Sequence, residues 1–196
     1  MPQPDLPALA SIALHVARAK AIEQYSALEQ SLCRVFGRAL GTEPDYAGIV
    51  FFKITSARGR LAMIEKLLRK RLGDRYASLF WTPAISAIKV LDQKRNEIVH
   101  WTTLVHIGDT LPIVHLVPPN LYDLRPGRSP YWDADKLNEF KGECDYYSRL
   151  LNMYWMNVLT TDAPEDLRRP WLDRFQQAQP YPPPDTHPLS PNYKEP

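Results

Sequence analysis

The chain has 196 residues, 44% of them hydrophobic and 23% charged, a size and balance that match one well-packed globular domain with tails. A formal net charge of +2 excludes nucleic-acid binding by bulk electrostatics, so any such function has to rest on local clustering. Cys33 and Cys144 show no CxxC spacing and do not make a disulfide framework. No apolar run approaches membrane-spanning length, so a cytoplasmic protein with reduced core thiols and no membrane partner is expected.

Met1 to Ala10 reads as an N-terminal arm without a basic region followed by an apolar run. From Ser11 to about Leu40, Ile12, Val16, Ala19, Ile22, Leu28, Leu32, Val35 and Phe36 recur at helical intervals, and Gly41 supplies a stop. A second periodic stretch, Tyr46 to Leu72, ends at Gly73, with Gly59 and the β-branched pair Ile54-Thr55 weakening its continuity. The third helix is expected to start with Thr82 as N-cap and Pro83 at its first position, and to run to about Trp101. Two β-rich runs around Gly108-Asp109, spanning about 103–117, read as a hairpin.

Residues 120–131 read as a loop. Asp133 then caps a fourth helix, Ala134 to about Leu159, which carries a wide aromatic face. Pro164 to Phe175 suggests one or two helical turns, and the proline-rich Gln179 to Pro196 is expected to stay extended or unstructured. The predicted fold is all-α, an up-and-down four- or five-helix bundle over 11–162 with a small β-hairpin insertion after the third long helix. Residues 163–196 form a C-terminal extension.

The hexapeptide Arg95-Asn96-Glu97-Ile98-Val99-His100 lies in the second half of the third helix. At about 100° per residue, Arg95 points into the arc of Ile88, Leu91, Ile98 and Val99. A guanidinium there must meet a carboxylate, line a wet cleft or await an anion, since an unpaired charge in apolar surroundings costs several kcal/mol. Asp92, Asn96 and His100 fall along one stripe at i, i+4, i+8, within reach of the long Arg95 side chain. Histidine can take the 2′-hydroxyl proton of RNA or protonate a leaving oxygen, and arginine can hold the phosphate and stabilise its added charge. This chemistry requires no metal or other cofactor. One histidine per chain favours two chains meeting across a two-fold axis.

These residues resemble the HEPN superfamily of helical-bundle domains, whose ribonuclease members carry Arg-x4-6-His, often with Asn, Asp or His after the arginine. The likeness covers roughly residues 11–160. It implies a metal-independent endoribonuclease with a composite active site at a homodimer interface, His100 acting in acid–base catalysis, Arg95 binding the phosphate and Asn96 orienting them. Many such relatives are toxins or phage-defence effectors that cut cellular RNA, so the resemblance leaves room for a neutralising antitoxin or other protein partner besides the RNA substrate without requiring one. Others are non-catalytic, and the alternative is a HEPN-like helical module that binds nucleotide, RNA or a protein in the same groove. A toxin subgroup modified by a nucleotidyltransferase has tyrosine two residues after the histidine; here that position is Thr102, which argues against that regulation.

The same residues have plainer readings. Arg95 would form a buried salt bridge with Glu23 or Glu29 of the first helix, and His100 would close a helix end. Arg58, Arg60, Lys66, Arg69, Lys70, Arg71 and Arg75 crowd one stretch against Glu65 and Asp74, as an RNA-backbone contact or a solvated helix face. His106 and His115 would face each other across the hairpin, but no cysteine or acidic pair completes a metal site, so no metal is expected. Trp132, Tyr146, Tyr147, Tyr154 and Trp155 read as core or dimer interface more readily than as a platform for RNA bases. Tyr181-Pro182-Pro183-Pro184 reads either as a polyproline ligand or as part of a disordered terminus.

Overall fold

The computed structural model describes residues 6–73, 76, 78–107, 112–119, 131–160 and 162–194. The elements run α1 (Leu6–Leu40), α2 (Pro44–Phe51), α3 (Ala57–Leu72), α4 (Ser78–His100), β1 (Thr102–Ile107), β2 (Pro112–Val117), α5 (Ala134–Tyr154), a π-helical segment (Trp155–Leu159) and α6 (Glu165–Arg174). The fold is a mostly α-helical bundle with a small two-stranded insertion. Among the described residues, no helix is long and apolar enough to cross a membrane.

α1 begins at Leu6, more than a turn before Ser11. Its stop is the expected one: Gly41 takes φ +79°, and the amides of Gly41 and Thr42 donate to the Gly37 carbonyl at 2.9 and 3.0 Å. The single helix expected over Tyr46–Leu72 is two. Ile54 and Thr55 fall in the break, and Ser56 caps α3 by accepting from the Gly59 amide at 3.0 Å. α4 starts at Ser78, not after Thr82, and Pro83 lies inside it. Phe80 and Trp81 are fully buried, and their packing holds the extra turn despite the backbone bond that Pro83 cannot make.

The chain divides into two compact units, each drawn from two segments. One comprises Met1–Ser26 with Leu91–Gly142, the other Ala27–Val90 with Glu143–Pro196. In the first, Leu14, Ala17, Ala21 and Tyr25 of α1, Leu91 and Ile98 of α4, Leu116 and Val117 of β2, and Leu137 and Phe140 of α5 are buried. β1 and β2 pair antiparallel with Leu104 opposite His115. Leu116 also exchanges two backbone hydrogen bonds with Trp132, at 2.8 and 3.1 Å, which fastens the hairpin to the chain entering α5. Asp133 caps α5 as expected, its carboxylate accepting from the Lys136 amide at 2.8 Å.

In the second unit, Phe80, Trp81, Tyr154 and Phe175 form a ring cluster with centroids 4.8–5.3 Å apart. Tyr146, Tyr147 and Tyr154 are buried, which places them in the core. α6 fills the expected span, and its ten residues make nearly three turns instead of one or two. The terminal stretch differs most from expectation. Gln179 and His187 are buried, and the His187 ring is bonded on both sides: Nε2 meets Gln179 Oε1 at 3.0 Å and Nδ1 accepts from the Leu189 amide at 3.0 Å. His187 packs against Tyr146 and Trp171, so an aromatic surface on α5 and α6 folds this segment into turns in spite of its prolines.

Candidate functional site

The second half of α4 places the motif in the first unit. Leu91 and Ile98 are buried and anchor the helix, while Asn96 and His100 lie exposed on its outer side. Arg95 is half-buried between these faces. Its Nη1 donates to Asn96 Oδ1 at 3.0 Å, and its guanidinium carbon lies 5.7 Å from the centroid of the Tyr25 ring on α1. Its Nε is buried without a hydrogen-bond partner.

The salt bridge considered for Arg95 is not formed. Glu29 pairs with Arg60 at 2.8 Å, Glu23 is exposed, and among the described residues no carboxylate is paired with Arg95. A tyrosine face takes the place of the carboxylate, and Tyr25 donates its hydroxyl to Asp92 Oδ1 at 2.8 Å. The stripe residue Asp92 is thus tied to the ring beneath Arg95. Nor does His100 have to close its helix: Arg18 reaches from α1 and donates to the Val99 carbonyl at 2.7 Å. His100 is the last residue of α4 and its side chain is exposed.

Arg18 and Tyr25 were missed by the sequence reading. The signal was present, since Arg18 stands between Leu14 and Ala21 on the buried stripe of α1, the same misplaced charge that drew attention to Arg95. Glu97, the remaining charged residue of the hexapeptide, accepts from Trp132 Nε1 at 3.1 Å and is structural.

Six of the seven residues of the basic stretch lie on α3 in the second unit, and they do not act alike. Arg60 is paired with Glu29 and stacked on Phe51; Arg69 is paired with Glu65 and stacked on Tyr76; Arg71 donates to the Arg38 carbonyl at 2.6 Å. These three cations are engaged within the fold. Arg58, Lys66 and Lys70 are exposed, and Arg75 lies outside the described residues.

His106 and His115 do not face each other. The register sets His106 opposite Ile113 and His115 opposite Leu104, leaving the two imidazoles diagonal on one face. His115 is held below the ordinary histidine range chiefly by burial, with His106 and Lys136 adding to the effect and Asp133 opposing it. Among the described residues no group of three or more His, Cys, Asp or Glu could hold a metal ion.

In comparisons with known proteins, no family profile, no curated protein and no solved structure matches this chain. The functional reading therefore rests on the α4 geometry and on the resemblance of its motif.

Proposed function

We propose that this chain is a metal-independent endoribonuclease of HEPN type, acting as a homodimer in which Arg95, Asn96 and His100 of two copies face one substrate phosphate. The observation that carries the reading is the state of Arg95. It is a half-buried guanidinium that no carboxylate among the described residues pairs with, with one buried N–H unpartnered and one arm turned to Asn96 at the solvent side. Among the described residues such a group has no structural counter-charge, and a phosphodiester supplies one whose two non-bridging oxygens match the guanidinium fork.

In the proposed reaction the substrate's 2′-oxygen attacks its own phosphorus while one His100 removes the 2′-proton. The O2′–P bond forms, the P–O5′ bond breaks, and the partner copy's equivalent histidine protonates the departing 5′-oxygen. The products are a 2′,3′-cyclic phosphate and a 5′-hydroxyl. Arg95 binds a non-bridging oxygen and stabilises the added charge of the transition state. Asn96 fixes the guanidinium through the bond to its Oδ1.

The test is cleavage of total RNA in chelator-treated buffer, with Arg95→Ala and His100→Ala as controls and sedimentation to define the oligomer. Product with cyclic phosphate ends from a dimer, abolished in both variants, is the expected result. RNA bound but left intact by the wild-type dimer would replace this reading with the non-catalytic one.

A further inference from the structure

The second compact unit contains a cleft that the ribonuclease reading does not use. Its volume is about 280 Å³, and it is lined by Arg34, Gly37 and Arg38 of α1, Thr42, Glu43 and Pro44 at the entry to α2, and Trp155 at the start of the π-helical segment. Three elements converge on it. Gly37 permits the approach, since a Cβ there would come within 2.8 Å of the Ala47 Cβ.

Arg34 and Arg38 stand one helical turn apart, and both are positioned by neutral acceptors. Arg34 Nη1 donates to Asn152 Oδ1 at 3.0 Å, and Arg38 Nε donates to the Leu159 carbonyl at 3.3 Å. Among the described residues neither is paired with a carboxylate. Like charges at i, i+4 on a helix disfavour each other, so two aligned and unneutralised guanidiniums constitute a receptor for an anion. The positive end of α2 borders the same cleft, and its N-cap residue Glu43 makes no side-chain capping bond. Trp155 is half-exposed, unlike its neighbour Tyr154 in the core, and it begins a π-helical segment, a departure from α geometry that recurs at ligand sites.

We infer that this cleft binds a nucleoside monophosphate group, its phosphate held by Arg34 and Arg38 and its base laid on the Trp155 ring. The two arginines account for the anion, the indole for the flat base, and the volume for a single nucleotide. Glu43, the one acidic residue among the described lining, opposes the two arginines and disfavours more highly charged polyphosphates. The inference is independent of the α4 motif.

Titration calorimetry of the full chain with adenosine 5′-monophosphate, adenosine and inorganic phosphate tests it. The nucleotide is expected to bind about tenfold or more tightly than either part alone, because both the charge-assisted bonds and the stacking contribute. Arg34→Gln, whose native bond is to a surface asparagine, should weaken nucleotide binding about tenfold with an unchanged melting temperature. Trp155→Leu should remove the preference over phosphate, and Glu43→Gln should tighten binding.

Arg34→Gln should leave RNA cleavage unchanged, which separates this cleft from the proposed active site. The His100→Ala variant, which leaves RNA strands uncut, should bind the nucleotide like wild type. In that same variant, displacement of the nucleotide by a 5′-phosphorylated oligoribonucleotide identifies an RNA end as the source, and no displacement identifies the free nucleotide. Equal displacement by the 5′-hydroxyl strand would overturn the inference. So would nucleotide binding no tighter than phosphate, or affinity unchanged in both Arg34→Gln and Arg38→Gln.

Discussion

Arg95→Met separates a structural arginine from a functional one, because the two roles predict opposite changes in stability. Methionine retains an unbranched apolar stem that fills the space beside Tyr25, so little packing is lost. The substitution removes a cation–π contact worth about 0.5–1 kcal/mol and an exposed hydrogen bond to Asn96 worth about 0.5–1 kcal/mol. It also removes a buried, unpartnered Nε whose desolvation costs about 1–3 kcal/mol. With no carboxylate paired to Arg95 among the described residues, the sum runs from a loss of about 1 kcal/mol to a gain of about 2 kcal/mol and centres on a small gain, each kcal/mol being about 2–4 °C of melting temperature for a chain this long. Differential scanning calorimetry reads the shift, and the metal-free RNA assay on the same sample reads function. Loss of cleavage with an equal or higher melting temperature is expected. A fall of more than about 4 °C would show that Arg95 holds the fold, and the argument for an arginine kept at a cost for an anion would fail.

Three further outcomes follow from the packing and charge. Phe175→Ala empties a fully buried ring site between Phe80 and Tyr154 and should cost about 3–5 kcal/mol in urea unfolding, whereas a loss near zero would detach α6 from the core. Burial, reinforced by Arg174, pushes His187 down to about 4, so the unfolded chain binds its proton first: stability is retained above about pH 6.5 and lost as pH falls toward 4. The steepest slope should be about 1.4 kcal/mol per pH unit and should flatten in His187→Gln; a wild-type profile flat over that interval would contradict the buried neutral ring. If α3 grips RNA, Lys66→Gln and Lys70→Gln should each reduce the salt slope of binding by about 1, while Arg60→Gln acts on stability instead; unchanged slopes in both lysine variants would remove α3 from the interface.

Local chemistry was legible wherever one residue decided the outcome. Asp133 announced the start of α5 and Gly41 the end of α1, because a side-chain cap and a left-handed turn depend on the residue itself. Thr82-Pro83 carried an equally good start signal and was overruled, since burial of Phe80 and Trp81 is a tertiary gain that no local signal contains. The proline-rich end misled in the same way: its composition describes the isolated chain, while its order comes from Tyr146 and Trp171, far away in sequence. At the candidate site, helical spacing set Arg95 against the apolar face, but only coordinates could show that a tyrosine rather than Glu23 or Glu29 meets it. The cleft of Arg34, Arg38 and Trp155 was illegible for the same reason, its walls being brought together from 121 positions apart, as in the bond from Arg38 to Leu159.

The folded proline-rich segment bears on how the gene should be trimmed. A truncation after Ala178, attractive on composition alone, would strip the cover from Tyr146 and Trp171 and leave their rings facing solvent. The shortened product would be expected to aggregate on overexpression, and its inactivity would be mistaken for a catalytic role of the deleted residues. Affinity tags and fusion partners at this end are better joined through a flexible spacer beyond Lys194 than set directly against Tyr193, whose amide still bonds to the Ser190 carbonyl.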